Sequence, residues 1–156
     1  MKNLLTISLL IFVVLFNSCK KEEDSNTDKL CGKYWVITEA TVDPSVPIVD
    51  EYGNIIGYTN NIFAQLDACN KDDVEKYNAD GTLIWDVRGK CDPGEIQSGS
   101  GTWVFNSDGT TLAETVGNEN FVYNIIELTN SKFKFSEELN LGGINYILTI
   151  TCVPED

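Results

Sequence analysis

Histidine is absent from the 156-residue chain. With it go the commonest general base, the commonest metal ligand and the imidazole of a nucleophilic triad. Basic side chains are scarce, 11 against 24 acidic ones, for a formal charge of −13. Nucleic acid and anionic headgroups would be repelled by such a surface, so both are poor partners and no nucleic acid is expected. The five cysteines form no Cys-x-x-Cys pair, which together with the missing imidazoles argues against a zinc site, and no metal is expected. Adjacent carboxylates do occur, as at Asp72 and Asp73. Neighbours on a strand point to opposite faces, however, so these two do not share a site. The chain reads as a non-enzyme that needs no cofactor.

The longest apolar run, residues 4–16, follows the single charge of Lys2 and is broken by Thr6 and Ser8. It is too short for a membrane span of ~20 residues, and residues 1–18 have the plan of a cleaved signal peptide. The string Phe16-Asn17-Ser18-Cys19 resembles a bacterial lipobox, with Phe16 where Leu is usual. That resemblance implies cleavage before Cys19, which is then diacylated on sulfur and acylated on its new amino group. Two or three acyl chains, at about 0.8 kcal/mol per buried CH2, hold a protein stably on a membrane. Cys19 is therefore the expected anchor. The run Lys20-Lys21-Glu22-Glu23-Asp24 resembles the export signal of some Gram-negative lipoproteins, which implies an outer-membrane lipoprotein exposed on the cell surface. Residues 19–30 read as a flexible tether and residues 31–156 as one folded domain, the size of the chain allowing one core and not two.

Within that domain the pattern is short β runs bounded by turn residues. Strands are expected at 33–42, 73–78, 82–88, 101–105, 111–116, 121–128, 132–137 and 144–152, with a long loop at 43–60. Asn61 caps one short amphipathic helix, 62–68, between the first and second strands. The strings Asn78-Ala79-Asp80-Gly81-Thr82 and Asn106-Ser107-Asp108-Gly109-Thr110 suit tight hairpins, each a three-residue loop with glycine in the left-handed position. They also begin like a calcium loop, but the later ligands are missing. Eight strands on short connections form an antiparallel meander, and a meander of eight closes into an up-and-down barrel without free edges.

The cysteines besides Cys19 number four, Cys31, Cys69, Cys91 and Cys152, and an even number in an exported chain suggests two disulfides among three possible pairings. A three-residue loop centred on Asp80 places Cys69 and Cys91 opposite each other just beyond their hairpin. Closure of the barrel sets the first strand beside the last, so Cys31 is expected to pair with Cys152. That register puts Trp35 opposite Leu148 and Ile37 opposite Tyr146.

Leu30-x-Gly32 with Trp35, Ala68-Cys69-x-x-Asp72-Asp73, Asp80-Gly81-Thr82, Cys91, Gly101-Thr102-Trp103 and residues 125–129 together resemble the lipocalin-like domains of bacterial surface lipoproteins over about residues 30–153. The resemblance implies an all-β, eight-stranded antiparallel up-and-down barrel. Tight turns fall at the tether end and long connections at the other, so the mouth should face away from the membrane, where long loops on a rigid scaffold carry function. That rim is acidic, with Asp43, Asp50, Glu51, Asp67, Asp72, Asp92 and Glu95 among its residues. Interior candidates for binding a small, largely apolar ligand are Trp35, Ile37, Tyr77, Leu83, Trp85, Phe133, Phe135, Tyr146 and Leu148. Glu75, facing Trp85 across a hairpin, is the polar candidate for orienting it. The alternative is a filled barrel that meets an envelope protein or a glycan through its long acidic loops.

Overall fold

The computed structural model describes residues 25–155. The signal peptide, the acylated Cys19 and the charged run 20–24 lie outside the described residues. Among the described residues nine strands form one antiparallel sheet: β1 (Tyr34–Val49), β2 (Ile55–Asn61), β3 (Val74–Tyr77), β4 (Thr82–Asp86), β5 (Ser98–Phe105), β6 (Thr111–Val116), β7 (Glu119–Leu128), β8 (Phe133–Leu141) and β9 (Ile144–Pro154). Its order is β2-β1-β3-β4-β5-β6-β7-β8-β9, and β1 also pairs with β9. Eight of the strands thus close the expected barrel, while β2 lies outside the ring.

Residues 43–60 are the first correction, because they form a β arm and not a loop. β1 runs on through Pro44 and Pro47, and Val46, Pro47 and Ile48 pair with Thr59, Tyr58 and Gly57 of β2. The pairing of β1 with β9 ends at Asp43 and Ile147. Beyond that point β1 has a free side, where a residue without an N–H is tolerated. Asp50 closes the arm by accepting from the backbone N–H groups of Tyr52 and Asn54 at 3.0 and 2.8 Å.

The expected helix at 62–68 is two separate 3-10 turns, Phe63–Gln65 and Ala68–Asn70. Asn61 does cap the first, its Oδ1 accepting from Ala64 N–H at 2.9 Å. An α-helix stands instead at the tail of the supposed tether: α1, Asn26–Leu30, opened by a capping box in which Ser25 and Asp28 bond each other's backbone N–H. The folded unit therefore includes the residues from Ser25 onward. α1 sits under the barrel, where Asn26 Nδ2 donates to Gly109 O at 3.0 Å and Leu30 is completely buried.

Both hairpin turns take the expected conformation, with Gly81 at φ 86° and Gly109 at φ 71°. The first has three residues between Asn78 and Thr82; the second has four, because Asn106 N–H bonds Thr111 O. The tight turns and α1 share one end, which is packed solid. Leu30, Trp35, Tyr77, Leu83, Trp103, Leu112 and Phe133 form its core, and Trp35 Nε1–H is satisfied by Leu30 O at 2.8 Å.

The closing seam corrects a third expectation. Trp35 stands opposite Pro154 and Ile37 opposite Cys152, and a bulge follows before Glu39 meets Thr151. Cys31 therefore ends α1 at the base while Cys152 is carried up onto the inner wall, and both are free thiols. The Cys31 to Cys152 disulfide is not formed. Cys69 and Cys91 are bridged, with Cα atoms 5.4 Å apart, at the opposite end from α1.

Candidate functional site

Above the packed floor the barrel opens into a cavity of about 280 Å³. That lies just under the ~300–1,000 Å³ of pockets that enclose drug-sized ligands. One row of the sheet defines its wall. Trp35 pairs with Glu75, Glu75 with Trp85, and Trp85 with Gly99, so a carboxylate is set between two indoles. Gly99 is required by that row, because a Cβ there would fall 2.3 Å from the Trp85 ring. Gly99→Ala should push Trp85 into the cavity and cost about 1–3 kcal/mol from overpacking. Urea unfolding together with a shift in Trp85 emission checks it; an unchanged spectrum would show that the ring does not lie where the pairing puts it.

Of the ligand-binding candidates, Trp35, Ile37, Glu75, Trp85 and Phe135 line this cavity. Tyr77, Leu83 and Phe133 do not reach it; each is about 1% exposed and belongs to the floor. Tyr146 and Leu148 share the inner face of β9 with Ile150 and Cys152, but the cavity wall is made by the latter pair. Sequence reading put Glu137 at the acidic rim and missed Tyr123, Ile150 and Cys152 on the wall and Glu114 just below it. A signal existed for Glu114. It alternates in step with Leu112 and Val116 on a strand whose other face carries Thr111, Ala113 and Thr115.

Tyr77 links the floor to the cavity. Its hydroxyl lies 2.6 Å from Glu114 Oε1 and 2.9 Å from Glu75 Oε2. A phenol has one proton to donate, so at most one contact is a tyrosine O–H to a carboxylate. The other is made by a protonated carboxyl donating to the phenol oxygen. Glu114 is 3% exposed; burial first, and then the charge of Glu75, push its carboxyl up to about 8. Burial also raises Glu75, against the Tyr77 hydrogen bond that favours its ionised form. Glu137 is raised by burial too. The Tyr123 hydroxyl approaches Glu114 from β7, and burial and these carboxylates together hold its proton on. At the mouth, Asp73 is raised by burial and by Asp72, Glu95 and Asp86, and its Oδ1 is fully enclosed without a hydrogen-bond partner among the described residues. None of the cavity's lining residues is Lys or Arg.

A closed eight-stranded antiparallel barrel, packed at one end and hollow at the other, with a disulfide on the open rim, defines a lipocalin-type fold. The model of the lipocalin-like domain family matches residues 30–135, and the chain belongs to that family. Solved structures similar to it include bovine odorant binding protein in complex with a selenium-containing odorant, at 17% identity and a TM-score of 0.45 over 86% of this chain and 76% of that one. The complex of the same bovine protein with undecanal matches at 16% identity and a TM-score of 0.45, covering 86% and 77%. Among curated proteins none matches the chain.

Proposed function

We propose that this chain is a lipid-anchored lipoprotein of the bacterial outer membrane, exposed on the cell surface, whose barrel takes up a small, largely apolar ligand. The single observation that carries the binding reading is the hollow upper half, walled by Trp35, Trp85, Tyr123, Phe135 and Ile150. Cavities of this kind, apolar with a few convergent polar groups, hold ligands. The anchoring reading rests on the lipobox resemblance at Cys19. α1 leaves from the packed end, so an anchor at Cys19 leaves the mouth and its acidic loops facing away from the membrane. The activity is binding rather than catalysis.

Native mass spectrometry of the protein purified from cells that make it tests the reading. The expected spectrum contains a nonprotein adduct that departs on activation, and Trp85→Ala should arrive bare while keeping its β-sheet circular dichroism. A bare wild-type mass, or an adduct retained by the variant, would sink it. The bare mass would favour the other occupant of this design, an envelope protein or glycan met at the surface. The outer arm is where such contact would fall, since Tyr52, Ile55, Ile56 and Tyr58 all stand exposed there.

A further inference from the structure

The ionisable carboxyl groups Asp73, Glu75, Asp86 and Glu137 make the charged groups of the cavity lining all of one sign, and this narrows the ligand. We propose that the barrel's ligand is a small organic cation, an ammonium carried on an aromatic or alkyl body, with its nitrogen on Glu75 and its body against the Trp35 and Trp85 wall. The inference rests on the reading of the cavity as a ligand site and adds the charge.

Glu75 offers the nitrogen an open position. Its Oε2 is taken by Tyr77, whereas no described donor reaches Oε1, which belongs to a residue of the cavity lining. Burying a carboxylate is costly unless it is paired or protonated. Here two such groups are joined by one phenol, Glu137 lines the same cavity from β8, and Asp73 holds an oxygen at the entrance without a partner among the described residues. An apolar or anionic guest would leave all of them unpaired. A cation would satisfy them, and the indoles of Trp35 and Trp85 in the lining are rings of the kind that attract cations. Arg88 reaches the lining residue Asp86 at 3.3 Å and Glu155 at 2.6 Å, and does not itself line the cavity. Lys33 stands at the base of the Trp35 wall. It sits over the Trp35 ring at 4.9 Å and bonds Asn130 O at the base, and does not line the cavity.

Every titratable group facing Glu75 bears on the pH response. These are Tyr77 on its own strand, Glu114 on β6, Tyr123 on β7, Glu137 on β8, Cys152 on β9, and Asp73 and Asp86 at the mouth. Without a guest, Glu75 and Glu114 share a proton through Tyr77. When an ammonium arrives, the carboxyl O–H breaks and its proton passes to a buffer base; the ammonium donates to Glu75, Tyr77 gives its one proton to Glu114, and the guest keeps its own three N–H bonds.

Isothermal titration with tryptamine and with tryptophol, which carry the same ring and chain but end in ammonium and hydroxyl, tests this. At pH 7 tryptamine should bind at least tenfold tighter, and it should release protons, seen as heats that depend on the buffer's ionisation enthalpy. Its affinity should fall as pH is lowered to 5. Glu75→Gln should bring the two ligands to within about threefold while still binding tryptophol, which shows that the variant is folded. Equal affinities in the wild type overturn the cation assignment and leave the apolar cavity standing. If neither ligand binds, the cavity reading falls and this inference with it. An amine preference that survives in Glu75→Gln, or one without proton release, overturns the role of the shared-proton pair. Should the variant bind neither ligand, the wild-type preference and proton release decide the question alone.

Discussion

Leu30→Ala should destabilise the domain by about 2–5 kcal/mol, the range for truncating a fully buried leucine. Leu30 is the last residue of α1 and has no exposed surface. It closes the floor beneath Trp35, Tyr77, Leu83, Trp103, Leu112 and Phe133. Its carbonyl also receives the Trp35 indole N–H, a bond that the substitution leaves in place, so the loss is one of packing. Urea unfolding followed by tryptophan fluorescence reads it as a lower midpoint at unchanged slope. Were α1 merely the end of a tether, the same substitution would fall within the roughly ±0.5 kcal/mol of an ordinary surface change. The two outcomes are several-fold apart, so the measurement decides whether the folded unit begins at Ser25 or after Leu30.

The parts of this structure that are legible in the sequence are those fixed by local chemistry. Asn78, Asp80 and Gly81 dictate a three-residue turn, the turn sets the register of β3 on β4, and that register carries Cys69 to Cys91. No such device fixes the closing seam, whose partners are more than a hundred residues apart. Aligning it on Cys31 and Cys152 sets it six residues out at Trp35, which faces Pro154 and not Leu148, and seven beyond the bulge, where Glu39 faces Thr151. Side chains on a strand repeat every two residues, so the slip of six keeps Trp35 and Ile37 inward, and the bulge absorbs the odd residue. The inner wall therefore follows even from a wrong register, while the disulfide that depends on the register does not. The β arm and α1 escape sequence reading for the opposite reason. Two prolines and a polar, charged run argue against regular structure locally. A free strand side tolerates the prolines, and one buried leucine with a capping box suffices for a single turn and a half of helix.

A carboxyl proton held on Glu114 makes the barrel less stable as pH rises, and Glu114→Gln should remove that dependence. In the unfolded chain Glu114 ionises near its ordinary 4.5, whereas in the fold burial and Glu75 hold it to about 8. Between those values the native state binds a proton that the unfolded state has lost. Stability from this group is thus complete below pH 4.5 and is lost progressively as pH rises toward 8. At about 1.36 kcal/mol per pKa unit the loss is on the order of 5 kcal/mol, and it belongs to the Glu75 and Glu114 pair rather than to either residue alone. In the variant, the introduced side-chain amide can donate to the phenol oxygen of Tyr77 and Tyr77 can donate to an ionised Glu75, so every partner is satisfied without a shared proton. Urea midpoints should therefore coincide for the two proteins near pH 5, and the variant should be the more stable by several kcal/mol at pH 8. Parallel curves would mean that the inner carboxylates exchange protons with solvent as surface groups do. A bound cation should flatten the wild-type curve in the same way as the substitution, because it supplies from outside the charge that the barrel's own wall lacks.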